Sequence, residues 1–159
     1  MPDMLVKLYD MPEDDTRQRM SEEGIQIKRA MALDKNAIVD FVKNNFGYSW
    51  ETECEKAIFN QPASCYIATK DRKIVGFACY DGTALGYFGP TGVLPDERGK
   101  GIGKALLFKC LESMKEKGYG YAIIGFVGPV SFYEKAVDAT VIEGSSPEKS
   151  VYSNLTWVN

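Results

Sequence analysis

The stretch Gly92-Val93-Leu94-Pro95-Asp96-Glu97-Arg98-Gly99-Lys100-Gly101-Ile102-Gly103-Lys104-Ala105-Leu106-Leu107 joins an apolar strand end to a glycine-rich loop and the first turns of a helix. Gly99, Gly101 and Gly103 alternate where the helix begins, so main-chain N–H groups between Arg98 and Lys104 can point into one concavity with no Cβ in the way. The positive end of the helix dipole and the cations Arg98, Lys100 and Lys104 add to that field. The pattern predicts a cradle for a phosphate or pyrophosphate. It is not a Walker loop, because Gly99-Lys100 is followed by Gly101 in place of Ser or Thr. It is not the dinucleotide fingerprint either, since the glycines run G-x-G-x-G and no acidic residue closes a second strand about 20 positions on.

Downstream of the loop, Leu106, Leu107, Cys110, Leu111 and Met114 share one half of a helix, and Lys104, Lys109, Glu112, Lys115 and Glu116 the other. The helix ends at Lys117-Gly118, a cation followed by a C′ glycine. So sided a helix lies on a sheet. Tyr121 to Gly125 reads as a buried strand parallel to the one before the loop, the right-handed crossover arrangement. Upstream, Leu85 to Leu94 is a strand broken by Gly86, Gly89 and Pro90, which predicts a bulge or an opening from a neighbour.

Farther out, Cys65 to Thr69 and Ile74 to Tyr80 make an antiparallel hairpin, and Asp81-Gly82 the next turn. Ile25 to Ala30 alternates as a strand. Asp34 N-caps a helix carrying Ile38, Phe41, Val42 and Phe46 on one face, and Ser49 caps a second with Trp50, Cys54, Ala57 and Ile58 buried. Pro129 starts a last helix, capped by Gly128, and Ala139 to Ile142 with Val151 to Trp157 close the sheet as a pair. Met4 to Tyr9 reads as an edge strand. The division is an N-terminal extension, residues 1–23, and a single α/β domain with a mixed sheet, residues 24–159.

With 159 residues and 45% apolar content, one domain with a full-sized core suffices. The net charge of −3 argues against a nucleic-acid partner. No apolar run approaches the roughly 18 residues of a membrane span, and Met1-Pro2-Asp3 opens no signal peptide. The expectation is a soluble cytoplasmic protein with no membrane partner; exposed strand edges and the N-terminal segment suit a homodimer. Cys54, Cys65, Cys79 and Cys110 are far apart in sequence and read as small buried hydrophobes, with no metal site expected. The absence of histidine excludes Ser-His and Cys-His nucleophile pairs and leaves carboxylate, Tyr, Lys, water or a cofactor to do any chemistry.

Arg98-x-x-Gly101-x-Gly103, preceded by Val93-x-Pro95 and followed by an amphipathic helix, resembles motif A of the Gcn5-related N-acetyltransferase (GNAT) superfamily. Phe132-Tyr133-Glu134-Lys135 resembles its motif B. The resemblance covers Gly24 to about Val158, resting outside these motifs on the order of elements. It implies the GNAT fold, a central, largely antiparallel sheet with a parallel, splayed strand pair and flanking helices. It implies acetyl-CoA as cosubstrate, without a metal. The pyrophosphate falls to Arg98, Gly99, Lys100, Gly101, Ile102, Gly103 and Lys104, and the pantetheine arm to the main chain around Val93 and Leu94. The acetyl group passes directly to an amine of a small molecule or peptide. Tyr133, near the thioester sulfur, is nominated as general acid toward the leaving thiolate, because a phenol of pKa about 10 is a reasonable donor. A main-chain N–H near Val93 or Leu94 holds the oxyanion. Tyr48, Trp50 and Glu51 are candidates to line the acceptor pocket, and Phe132 is assigned to the core.

The sequence departs from the family in two places that bear on the site. Tyr87 to Gly92 has no acid where many members carry a glutamate base, which leaves Glu51 or Asp81 acting through water, or an amine that arrives deprotonated. Phe126 stands where an asparagine is frequent, at the floor of the pantetheine channel. The missing base is also what a non-catalytic acyl-CoA-binding or sensor module of the same fold would show.

Overall fold

The computed structural model describes residues 1–156. Among them the alternating segments form strands β1 (Met4–Lys7), β2 (Ile25–Arg29), β3 (Cys65–Lys70), β4 (Lys73–Tyr80), β5 (Tyr87–Val93), β6 (Tyr121–Ile124) and β7 (Thr140–Val141). They make one sheet in the order β2-β3-β4-β5-β6-β1-β7. The helices are α1 (Thr16–Glu22), α2 (Lys35–Phe46), α3 (Tyr48–Phe59), α4 (Ile102–Lys117) and α5 (Val130–Val137). In the β3–β4 turn, Asp71 and Arg72 both take positive φ, 51° and 63°, the handedness a tight hairpin between twisted strands requires.

All neighbours pair antiparallel except β5 and β6, which run parallel and pair only through Tyr87↔Ile123 and Phe88↔Ile124. Beyond these rungs the two strands part. β5 stays with β4, pairing Thr91↔Ala78, Gly92↔Phe77 and Val93↔Gly76. The chain after β6 turns the other way, and the Val127 N–H donates to the Pro2 carbonyl at 2.8 Å. The ladder slips between Ala78 and Tyr80, so Gly89-Pro90 forms the bulge that the sequence predicts. The result is a V-shaped opening in the middle of the sheet.

Each face of the sheet has its own core. On one side α4 buries Leu106, Leu107, Leu111 and Met114 against Met4, Val6, Phe88 and Ile124, with α1 and α5 flanking. A Leu so enclosed contributes about 1.5–3 kcal/mol. Gly76 lets α4 approach, since a Cβ there would lie 3.2 Å from Leu106 Cδ1. On the other side α2 and α3 bring Ile38, Val42, Cys54, Ala57 and Ile58 onto Cys65, Ile67, Phe77 and Cys79.

Three expectations are corrected. Met4–Lys7 is not an edge strand: it lies between β6 and β7, because Met4 and Val6 bury completely and need sheet on both sides. Val151–Asn154 is a 3-10 turn where a strand was expected, and β7 pairs with β1 instead; Trp157 and Val158 lie outside the described residues. Asp34 does not cap α2 with its side chain, because its carboxylate accepts from the Met31 N–H and the Lys28 ammonium, each at 3.0 Å.

Candidate functional site

The glycine loop sits at the mouth of the V. Gly99 and Gly101 hold φ of 81° and 102°, conformations an L side chain rarely adopts. The first helical bond of α4 runs from the Ala105 N–H to the Gly101 carbonyl at 3.0 Å. Ahead of it, the amides of Gly99, Lys100, Gly101, Ile102, Gly103 and Lys104 have no partner among the described residues. A helix start leaves its first amides unpaired, and here the loop adds to them. The cations around the loop are held by local partners: Lys100 Nζ lies 2.6 Å from Glu97 Oε2, Lys104 Nζ lies 3.6 Å from Asp14 Oδ1, and Arg98 Nε donates to the Val93 carbonyl at 3.0 Å. Asp14, on a segment to which the sequence assigned no chemistry, is buried beside Lys104, brought there by the packing of α1 on α4.

Along the β5 wall, the Leu94 N–H is bonded to the Val75 carbonyl at 2.9 Å. Leu94 therefore cannot hold an oxyanion. Bonded and non-bonded pairs alternate in an antiparallel ladder, so the N–H of Val93, one residue earlier, faces away from β4 and toward the opening. At the apex, Tyr133 of α5 is 6% exposed, its ring 6.4 Å from that of Phe88, the last residue of β5 paired to β6. Burial pushes its phenol up to about 12, and its hydroxyl has no hydrogen-bond partner among the described residues. Phe132, assigned to the core from sequence, is 37% exposed and borders a groove of about 170 Å³ between α4 and α5, with Lys104, Lys135 and Ala136.

A match to the family model described as the Acetyltransferase (GNAT) family extends over residues 35–137, from the start of α2 to the end of α5. The chain belongs to the GNAT family. No curated protein matches it by sequence. Among solved structures it resembles a GCN5-related glucosamine N-acetyltransferase region of a fungal multi-domain GH3 β-N-acetylglucosaminidase (TM-score 0.72, 16% identity, covering 89% of this chain and 19% of that one). It also resembles a GCN5-related N-acetyltransferase from Sphaerobacter thermophilus (0.66, 20%, covering 89% and 48%). A third neighbour is a GNAT family acetyltransferase from Brucella melitensis, solved in complex with acetyl-CoA (0.51, 20%, covering 77% and 91%). The chain thus spans about a fifth and about half of the first two proteins. Among the described residues no helix is long and apolar enough to cross a membrane.

On the α3 side of this GNAT sheet, the residues expected to line an acceptor pocket separate. Tyr48 is exposed, whereas Trp50 stacks on Phe46 at 5.6 Å and Phe46 fills the space that a Cβ on Gly92 would take. Glu51 has a buried Oε2 without a partner among the described residues. It lies one turn before Glu55, which pairs with Lys35 of α2. Asp81 is engaged structurally: its carboxylate accepts from Lys117 Nζ (2.6 Å), the Tyr119 hydroxyl (3.0 Å) and the Gly86 N–H (2.7 Å), with no side-chain exposure. Phe126 is half-exposed at φ 52°, its amide on Asp3 Oδ1 and its ring 5.7 Å from that of Tyr152.

What the sequence missed is Glu53, whose Oε1 accepts from the Thr83 hydroxyl at 2.7 Å, together with Tyr152. Thr83 is distant in sequence and Tyr152 was read as a strand residue, so only the alternating acids of α3 hinted at the arrangement. The cysteines also gather: the sulfurs of Cys54, Cys65 and Cys79 all lie within 4.8 Å of one another in the α2–α3 core. Hydrogen bonding from Cys65 and then Cys79 holds the Cys54 thiol well below the usual thiol value. Cys110 is buried alone on the α4 face, where desolvation pushes its thiol up.

Proposed function

We propose that the chain transfers the acetyl group of acetyl-CoA directly to an amine of a small molecule or peptide, within a ternary complex. The observation that carries this reading is the run of unpartnered amides from Gly99 to Lys104 at the mouth of a V whose apex holds Tyr133. Amides so directed, backed by the dipole of α4, suit a pyrophosphate. Lys104 and Lys135, on either side of the α4–α5 groove, add cationic character along the same wall.

In this reading the V admits the pantetheine arm between β5 and the chain after β6. The amine attacks the thioester carbonyl, the oxygen gathers charge, and the Val93 N–H stabilises it. The carbon–sulfur bond then breaks, and Tyr133 gives its proton to the leaving sulfur. A phenol that keeps its proton to about pH 12 is a donor throughout the physiological range. No cysteine lies in the loop or at the V, so the chain offers no thiol to carry the acetyl group covalently.

Calorimetry with coenzyme A and acetyl-CoA, paired with thiol release over a panel of amines, tests the reading. The expected result is binding together with amine-dependent release of thiol. Binding without release from any amine would favour the non-catalytic acyl-CoA sensor. Failure to bind either compound would refute the cradle itself.

A further inference from the structure

The acceptor amine must lose a proton, and the β5 segment that faces the V carries no acid. Three side chains from three separate elements converge beside the V on its α3 side. Glu53 of α3 accepts from the Thr83 hydroxyl at 2.7 Å. The Tyr152 phenol, carried by the C-terminal 3-10 turn, is close enough to Thr83 and Glu53 for both to act on it, with no direct hydrogen bond to either among the described residues. That phenol reaches Gly125, the residue immediately after the last β6 rung to β5. A Cβ on Gly125 would overlap the Tyr152 hydroxyl and come within 3.1 Å of the Tyr87 ring. The glycine is thus what admits the phenol to the apex.

We propose that Glu53, acting through Thr83 and Tyr152, receives the proton shed by the acceptor amine. The proposal rests on the acetyltransferase reading above. As the nitrogen–carbon bond forms, the amine proton passes to the Tyr152 oxygen, the Tyr152 proton through one intervening water to Thr83 Oγ1, and the Thr83 proton to Glu53 Oε1. When the carbon–sulfur bond breaks, Tyr133 on the opposite face of the sheet supplies the sulfur with a proton. Glu53 then releases a proton to water and Tyr133 regains one, so a neutral amine and acetyl-CoA give amide and free thiol with no net proton change. Tyr152 is the catalytic residue here, and Thr83 and Glu53 are positioning residues that act through it.

The charge environment suits a proton sink. Burial raises the Glu53 carboxyl above its ordinary value, with the Thr83 hydrogen bond offsetting part of the effect. The other titratable groups facing the cluster are Asp3, ahead of β1, and Tyr87 of β5, and both join Glu53 and burial in keeping Tyr152 protonated. No cation among the groups acting on Glu53 or Tyr152 competes for the carboxylate.

The test compares Glu53→Gln, Glu53→Asp, Tyr152→Phe and the double variant Glu53→Gln/Tyr152→Phe. Saturating acetyl-CoA and the amine giving most thiol release with the unaltered protein serve as probes. Glu53→Gln is expected to lower kcat by roughly 100-fold near pH 7, on the general acid–base scale, with the KM for acetyl-CoA unchanged. The acid limb of the wild-type profile, which lies above the usual glutamate range, disappears in this variant, and Glu53→Asp restores part of the rate. The double variant falls no further than the worse single one, because residues acting as a unit are not additive. An unchanged acid limb in Glu53→Gln, or additive losses in the double variant, would overturn the relay while leaving the acetyltransferase reading intact. A thermal shift with coenzyme A equal to that of wild type certifies that each variant is folded. Absence of amine-dependent thiol release from the unaltered protein would overturn the relay together with the reading beneath it.

Discussion

Replacing Gly101 by alanine separates backbone strain from steric filling in the cradle. At φ 102° an L residue is strained, at a cost of about 1–2 kcal/mol. Space is not the obstacle, since a Cβ there would meet Met20 Cε at 3.5 Å and Thr16 Cγ2 at 3.8 Å, both ordinary contacts. For a chain of this size each kcal/mol moves Tm by roughly 2–4 °C, so Gly101→Ala should melt about 2–8 °C lower. Relief of the strain turns the Gly101 and Ile102 amides, and this couples stability to binding. At a coenzyme A concentration of 100 times its Kd, wild type gains about 2.7 kcal/mol; a variant binding tenfold more weakly gains about 1.4 kcal/mol under the same conditions. The assay is thermal unfolding with and without coenzyme A. Gly103→Ala is the control: Gly103 lies in the first turn of α4 without positive φ, and a Cβ there meets only Val93 Cγ2 at 3.8 Å. It should hold or raise Tm, because alanine is favoured over glycine in a helix by about 0.5–1 kcal/mol. If Gly101→Ala melts with wild type and shows the same coenzyme A shift, neither the strain nor the role of these amides stands.

Tyr133→Phe should reduce kcat by on the order of 100-fold with unchanged coenzyme A affinity in calorimetry, and without loss of Tm, since the change keeps the buried ring and removes no side-chain hydrogen bond made among the described residues; undiminished turnover would remove Tyr133 from the chemistry. Asp81→Asn should cost about 1–3 kcal/mol in urea unfolding, because an amide keeps one acceptor oxygen for the Tyr119 hydroxyl and the Gly86 N–H but sets an NH2 in place of the buried carboxylate oxygen that faces the Lys117 ammonium. Its pH–rate profile should match wild type, and a lost acid limb would return Asp81 to the list of bases. Gly125→Ala should displace Tyr152 from the apex and lower kcat, read by thiol release, while the shift of Tm by coenzyme A persists; wild-type turnover would show that the phenol need not reach that point.

The sequence by itself determined the local and periodic features. The Gly89-Pro90 break, the glycine loop, the sided helix Ile102–Lys117 and the parallel return at Tyr121–Ile124 are contiguous, and their physics is that of neighbours: a missing donor, a missing Cβ, a dipole, a buried stripe. Those features suffice for the GNAT fold and put the glycine loop at the start of α4. The tertiary structure alone decided which groups are free to act. Leu94 and Val93 look alike in sequence, yet the ladder register commits the Leu94 amide to Val75 and turns the Val93 amide toward the opening. Asp81 follows β4 directly and Glu53 sits in the middle of α3; three donors occupy the first, and among the described residues the second accepts one side-chain hydrogen bond, from Thr83. Met4–Lys7 sits deep in the sheet because of partners far along the chain, and Tyr152 reaches the apex because Gly125, from another element, leaves it room. Hydrogen-bond commitment and burial depend on residues remote in sequence, so pattern reading can nominate candidates but not choose among them.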